Sequence, residues 1–363
     1  MDPLRETPSG LPRARAYDLP FEGTPGANNT ITDVAELQVG YTTLIEGAAV
    51  RTGVTAILPR GRSGIATPCW SGFFSLNGNG EMTGSHWIEE TGACELAVTI
   101  TNTHSLGVAR DATIKWATRN PVSGDGMAWG LPAAAETYDG YLNDINGFHV
   151  TEAHVFAAIE AAASGPVEEG SVGGGTGMIC YGFKGGSGTA SRATGGYTLG
   201  AFVQANFGRP HELTVAGVPV GRELEGGFDY GTDYDAGSGS IIVVLATDAP
   251  LLPHQLKRLA RRAALGIGRS GAIGHHASGD IFLALSTANA EALAASSGPA
   301  TADFLPDESL NFLFAAAIQA VDEAVLNALF ANADMTGRAG RLIRALPRER
   351  VRDLLAAAGR LAG

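Results

Sequence analysis

Cysteine is scarce. Cys69, Cys94 and Cys180 are the only three in 363 residues, they lie far apart, and no CxxC occurs. So sparse and odd a set excludes a disulfide framework and fits buried thiols in a reducing compartment. The closely spaced ligand pairs of a zinc site are missing too, so neither metal nor cofactor is expected. Charge is thin at 17%, and the basic kind is outnumbered: 25 Lys and Arg against 37 Asp and Glu leave a net charge of −12. Such a surface repels phosphate backbones and excludes nucleic acid as a partner. No apolar run reaches the about 18 residues of a membrane span. Residues 1–20 carry Arg5, Arg13 and Arg15 without the apolar stretch of a secretory signal. A cytoplasmic protein with no membrane partner is expected. The glycine-rich runs at 173–178 and 184–191 contain neither a phosphate-binding GxxxxGK[ST] nor a helix-opening GxGxxG. No serine sits in a GxSxG elbow.

Glycine itself is abundant. Fifty glycines fall in clusters between apolar runs, about double the usual share of ~7%. Many tight turns and close backbone approaches follow. With 45% hydrophobic residues the chain can bury a large core, as two average domains or one large α/β unit. Strands are predicted at 53–59, 94–101, 106–109 and 197–206, and a hairpin at 213–220. Helices are predicted from Thr151, a possible N-cap, to Ala163, and from Pro253 to the glycines at 266 and 268. Two more are predicted over Asp307–Ala331 and Pro347–Leu361. This order argues for an α/β (α+β layered) fold with helices outside stacked sheets.

The sharpest boundary in the chain lies at Ser240. A polar, glycine-punctuated run from Gly231 to Gly239 gives way at once to Ile241-Ile242-Val243-Val244-Leu245. That run reads as a strand covered on both faces. A serine hydroxyl needs a base. If the chain is cut between Gly239 and Ser240, the new α-amine, with a reference pKa of about 7.7–8.0, supplies one on the same residue. The plainer reading is a linker before an ordinary core strand. Two other stretches suit the same chemistry. A carboxylate at Glu136, in Glu136-Thr137-Tyr138-Asp139-Gly140, suits a substrate ammonium. A side-chain amide at Asn206, before Phe207-Gly208, suits an oxyanion. Ser278 and Asp280 lie two apart, which on a strand puts them on one face. His275 or His276 with Asp280 offers an ordinary triad as a rival mechanism, and Tyr141 competes with Tyr138. The loop Asn77-Gly78-Asn79-Gly80 reads equally as a surface turn or a pocket lining.

Residues 237–251, Gly-Ser-Gly-Ser-Ile-Ile-Val-Val-Leu-Ala-Thr-Asp-Ala-Pro-Leu, resemble the processing site of the self-cleaving serine aminopeptidases. That family includes L-aminopeptidase/D-Ala-esterase and the β-peptidyl aminopeptidases. The resemblance runs from about Asn28 to Ala333 and takes in the Glu-Thr-Tyr-Asp-Gly and Gln-Ala-Asn-Phe-Gly segments. It implies an αββα sandwich, similar to amino-terminal-nucleophile hydrolases but differently connected. It further implies a single self-processing domain, 1–363, split into an α chain of 1–239 and a β chain of 240–363, in a homotetramer of such pairs. By the same resemblance Ser240 is the nucleophile and Glu136 holds the substrate amine. The Tyr138 phenol, as a hydrogen-bond donor, and the Asn206 amide bind the oxyanion of the tetrahedral intermediate. Ser278 supports the new amine or hydroxyl, oriented by Asp280; some relatives carry Glu there, one methylene longer. The implied substrates are short peptides, amides or esters with a free amino terminus. Two alternatives remain: an acyltransferase of the ornithine acetyltransferase type, which usually employs threonine, and an uncleaved small-molecule binding or assembly protein.

Overall fold

The computed structural model describes residues 2–120, 129–224 and 239–362. In chain order the first half holds β1 (Gln38–Glu46), β2 (Val50–Leu58), β3 (Cys69–Ser75), α1 (Ser85–Thr91), β4 (Ala93–Cys94), β5 (Val98–Asn102), α2 (Leu106–Arg119), β6 (Ala134–Thr137) and α3 (Glu152–Glu160). A small hairpin, β7 (Ile179–Cys180) and β8 (Phe183–Lys184), leads into β9 (Gly186–Thr194), β10 (Tyr197–Asn206) and α4 (Val220–Leu224). Then come β11 (Ser240–Thr247), α5 (Pro253–Ala260), α6 (Arg262–Arg269), β12 (Gly279–Ser286), α7 (Ala290–Ala294), α8 (Asn311–Phe330), β13 (Met335–Thr336), β14 (Leu342–Ile343) and α9 (Arg348–Ala357).

Two sheets carry the architecture. One has the order β1-β2-β5-β6, the other β4-β3-β12-β11-β10-β9. Alternate side chains of each strand point to opposite faces, so each sheet feeds two cores. Between the sheets, Val39, Ile57, Val98 and Ile100 meet Phe202, Ile242, Val244 and Leu283. Outside the first sheet, Val54, Ala56 and Leu58 pack with Trp116 of α2 and Val155 and Ile159 of α3. Outside the second, Val243 and Leu245 join Leu256, Leu259, Ile267 and the apolar residues of α8. The layers therefore run helices, sheet, sheet, helices. Both faces of β11 are covered, as its unbroken apolar run required, and all eight of its residues are buried. By length and composition α8 could cross a membrane, but it is mostly buried against β9 and β10.

Several local expectations are corrected. Leu106–Ala109, predicted as a strand, opens α2 instead. The Asn102 carboxamide accepts from the Ser105 N–H and turns the chain into a helix, and Leu106, Ala109, Thr113 and Trp116 then recur on one buried face. The glycine-rich run at 184–191 belongs mostly to β9 rather than to turns. Its glycines serve a close approach: a Cβ on Gly188 would lie 2.0 Å from the Ala324 carbonyl oxygen of α8. The helix opened by Pro253 divides at Arg261 into α5 and α6. The hairpin at 213–220 reduces to one bridge, Val215 to Val218.

Candidate active site

Ser240 is the first residue of β11, and Asn206 is the last residue of β10. The two are paired in the antiparallel ladder. On its other side β11 runs parallel to β12, with Ser240 beside Gly279 and Ile241 beside Asp280. Three strand ends therefore converge on one point. Of the expected glycine-punctuated loop, Gly239 is described and 231–238 lie outside the described residues, including Gly237 and Ser238 of the motif.

The Gly279 N–H points at the candidate cut. It donates to the Gly239 carbonyl at 3.2 Å and to Ser240 Oγ at 3.1 Å. The first contact is an ordinary rung of the parallel ladder; the second places the hydroxyl at the same donor. Gly279 must be glycine here, because a Cβ would stand 2.3 Å from the Asn79 carbonyl oxygen. The Asn77–Gly80 loop is thus a wall of the site, not a free surface turn.

Ser278 Oγ donates to Asp280 Oδ1 at 2.6 Å, and Asn77 Nδ2 donates to Asp280 Oδ2 at 2.9 Å. Burial raises the Asp280 pKa, and the hydrogen bonds from Ser278 and Asn77 pull partly against that rise. Both carboxylate oxygens are thereby engaged without a histidine. His275 turns its Nε2 to Glu212 Oε1 at 2.7 Å. His276 is exposed, and the hydrogen bonds to the Asp280 carboxylate come from Ser278, Asn77 and the Ile241 backbone, so neither histidine assembles the rival triad.

Asn206 is held at both ends of its amide. Oδ1 accepts from the Ile179 N–H at 2.8 Å, and Nδ2 donates to the Tyr138 carbonyl at 2.9 Å. These neighbours fix which end is oxygen and which nitrogen. An amide nitrogen carries two hydrogens, so one is left over from the Tyr138 contact. Tyr138 thus meets Asn206 through its backbone. Its phenol is half exposed and folds over Gly140, where a Cβ would lie 2.3 Å from Oη. Tyr141 packs beneath the Arg341 guanidinium. The turn around Gly337 braces this segment, the Arg338 N–H donating to the Leu142 carbonyl.

Glu136 ends β6 one residue before its last, buried, with Oε1 accepting from the Glu81 N–H at 3.0 Å and Oε2 accepting a short hydrogen bond from Thr103 Oγ1. Burial raises its pKa, and the bonds from Thr103 and Glu81 oppose the rise. Gly80 stands between this carboxylate and the cut: a Cβ there would be 3.3 Å from Glu136 Oε1 and 3.2 Å from Gly279 Cα. Thr103, Asn77 and Gly279 were not singled out from the sequence. Asn77 lay inside a flagged loop and Gly279 beside a flagged serine, while Thr103 carried no signal.

Comparison with known proteins decides the family. Residues 29–343 match peptidase family S58. The chain is a member of that family. The beta-peptidyl aminopeptidase BapA of Sphingosinicella microcystinivorans is 51% identical, over 97% of this chain and 93% of that protein. The solved L-aminopeptidase D-Ala-esterase/amidase of Ochrobactrum anthropi, described as a prototype of the serine aminopeptidases and a variant of the Ntn-hydrolase fold, superposes with a TM-score of 0.91. It is 50% identical, covering 96% of this chain and 99% of that one. A Burkholderia sp. beta-aminopeptidase superposes with a TM-score of 0.88 at 44% identity, covering 96% and 99%. The layered architecture of this S58 peptidase is therefore that Ntn-hydrolase variant, and the protein is a hydrolase of the serine aminopeptidase class.

Proposed function

We propose that this S58 peptidase is made as a precursor, cuts itself between Gly239 and Ser240, and then uses Ser240 to release amino-terminal residues from short peptides, amides and esters. One observation carries the proposal: the Gly239 carbonyl and Ser240 Oγ share a single donor, the Gly279 N–H, with Asn206 directly opposite.

In the uncut chain Ser240 Oγ attacks the Gly239 carbonyl carbon, and the Gly279 N–H stabilises the oxyanion where it forms. The C–N bond breaks, the nitrogen takes up the proton that Oγ gives up, and the Gly239 acyl group passes to Oγ as an ester. Water hydrolyses the ester. The Gly239 carboxylate leaves with the α chain, and Ser240 keeps a free amine and hydroxyl. The departing carbonyl frees the Gly279 N–H for a substrate carbonyl.

In turnover the Ser240 amine takes the hydroxyl proton as Oγ attacks the substrate carbonyl, and returns it to the leaving amine or alcohol. Gly279 N–H and the second hydrogen of Asn206 Nδ2 receive the oxyanion. Water then hydrolyses the acyl-enzyme. Ser278 Oγ–H donates its hydrogen bond to Asp280, so its lone pairs are free to accept from the new amine. Glu136, beyond Gly80, receives the substrate ammonium in a charge-assisted bond. Tyr138 acts through its carbonyl on Asn206, and its phenol lines the approach. The family resemblance adds an expected assembly of four αβ pairs, to be checked by light scattering.

A denaturing gel with amino-terminal sequencing tests this reading. Wild-type protein should give two bands, the smaller beginning at Ser240. Ser240→Ala should give one full-length band and no release of p-nitroaniline from amino acid p-nitroanilides. A split or active Ser240→Ala variant, or a second fragment beginning elsewhere, overturns the proposal.

A further inference from the structure

Lys184 is a lysine with no exposed surface. Its Nζ donates to two backbone carbonyls, Met178 at 2.8 Å and Gly185 at 2.7 Å. Among the described residues no carboxylate forms an ion pair with it. Burial lowers its pKa to about 7. An ammonium so placed is costly, since desolvation removes several kcal/mol of hydration that two carbonyl dipoles return only in part. A methionine would fill the same space without that cost.

The placement of those contacts gives the charge a use. Lys184 stands opposite Ile179 in the β7–β8 hairpin. The Met178 carbonyl that Nζ grips belongs to the same peptide group as the Ile179 N–H. That N–H donates to Asn206 Oδ1 at 2.8 Å. One rigid peptide plane thus joins the lysine to the oxyanion candidate. A second donor, the Gly185 N–H, holds the Met178 carbonyl at 2.9 Å, and the Asn332 amide holds the Lys184 and Gly185 carbonyls. The hydrogen bond that Nζ donates at the carbonyl end, strongest while the lysine is charged, polarises the peptide, strengthens its N–H as a donor, and through Asn206 Oδ1 makes the Nδ2 hydrogens better donors in turn.

We propose that Lys184 is a positioning residue for the reaction: acting through the Met178–Ile179 peptide, it orients and polarises the Asn206 amide toward Ser240. This rests on the reading of Asn206 as an oxyanion donor. It extends that reading to a residue that touches no substrate.

A double-mutant cycle tests it, with steady-state hydrolysis of an amino acid p-nitroanilide by Lys184→Met, Asn206→Ala and the combined variant. Lys184→Met should lower kcat about 10- to 100-fold with KM within about twofold of wild type. The combined variant should be no slower than Asn206→Ala alone, because the lysine then has nothing left to orient. An unchanged kcat in Lys184→Met, or an equal loss in the Asn206→Ala background, overturns the proposal. Failure of the underlying reading shows separately, as an Asn206→Ala variant that keeps its kcat. If Lys184→Met does not fold, Lys184→Gln takes its place under the same criteria. If neither variant folds, Lys184 belongs to stability and the proposal falls.

Discussion

Asn206 and Ser240 face each other as ladder partners at the ends of β10 and β11. The sheet itself sets their separation, and the Ile179 N–H and the Tyr138 carbonyl set the rotation of the amide. A donor pre-aimed in this way acts on charge that exists only in the transition state. Asn206→Ala is therefore expected to lower kcat by about 10²–10³ with little change in KM, the signature of a lost oxyanion donor. Steady-state kinetics on an amino acid p-nitroanilide, with gel analysis of processing in the same preparation, checks this. A rise in KM at unchanged kcat would instead place Asn206 in ground-state binding.

Glu136 should add a second, lower step to the acid limb of the pH profile, below the one set by protonation of the Ser240 amine. Its carboxyl must be ionised to hold a substrate ammonium, and burial raises its pKa above the ordinary 4.5. As pH falls through that raised value the carboxyl takes a proton, the charge-assisted bond is lost, and kcat/KM declines. Glu136→Gln has no such proton to take. The variant should show a higher KM and a kcat/KM that keeps the fall caused by protonation of the Ser240 amine but lacks the further fall through the Glu136 range. Profiles of kcat/KM from pH 4 to pH 8 for the two proteins make the comparison, since this parameter reports the free enzyme.

The glycine at 279 gives a prediction about maturation. A methyl group there has no room, with the Asn79 carbonyl 2.3 Å from the Cβ position. Gly279→Ala must push the 77–80 loop or the start of β12 away from the cut, and the Gly279 N–H moves with it. Self-cleavage should slow by at least about tenfold, the order expected when a donor to a developing oxyanion is displaced. The Ala variant should still fold, because β12 is anchored further along by Ile281, Leu283 and Leu285. A time course of band splitting during refolding or cell-free synthesis reads the rate. Wild-type kinetics would remove the Gly279 N–H from the processing step.

What the sequence showed, and what it hid, follows from which forces are local. The Ile241–Leu245 run marked a doubly covered strand because both of its faces are apolar, and Thr151 marked a helix start because capping is decided within one turn. Leu106–Ala109 was misjudged because four apolar-rich residues suit a strand or a helix alike, and the Asn102 side chain settles the matter from outside that window. At the site, residue types pointed to Ser240, Asn206 and Glu136, each with a plain chemical use. Thr103 and Gly279 were silent. A threonine is useful only where Glu136 Oε2 happens to be, and the Gly279 contribution is a backbone N–H, which every residue but proline carries. Lys184 was silent for a related reason. Nothing in Phe183-Lys184-Gly185 announces that the ammonium turns inward to backbone carbonyls.

If the chain is cut before Ser240 as proposed, the two pieces must stay together without the covalent link, and a buried ionic cluster spans them. Arg15 Nε lies 2.5 Å from Glu323 Oε1, Arg192 Nη2 lies 2.7 Å from Oε2, and Asn29 Nδ2 donates to Oε1 at 2.7 Å. The three donors precede residue 240 and Glu323 follows it. Burial pushes the Glu323 carboxyl up, but the hydrogen bond from Arg15 and the charges of Arg192, Arg15 and Arg13 outweigh this and bring its pKa below 4.5. Glu323→Gln keeps the shape and leaves two arginines facing a neutral amide, one of them fully buried. Removing one partner of a buried ionic group costs about 3–5 kcal/mol. The variant should unfold, and its fragments separate, at clearly lower urea than the wild type at pH 7. The sign of the pH dependence follows from the lowered pKa. The unfolded carboxyl binds its proton at higher pH than the folded one, so the wild-type advantage is complete above the unfolded value near 4.5 and shrinks as pH falls through the folded value. Equal urea midpoints at pH 7 would show that the apolar contacts of α8 with β9 and β10 hold the fragments unaided.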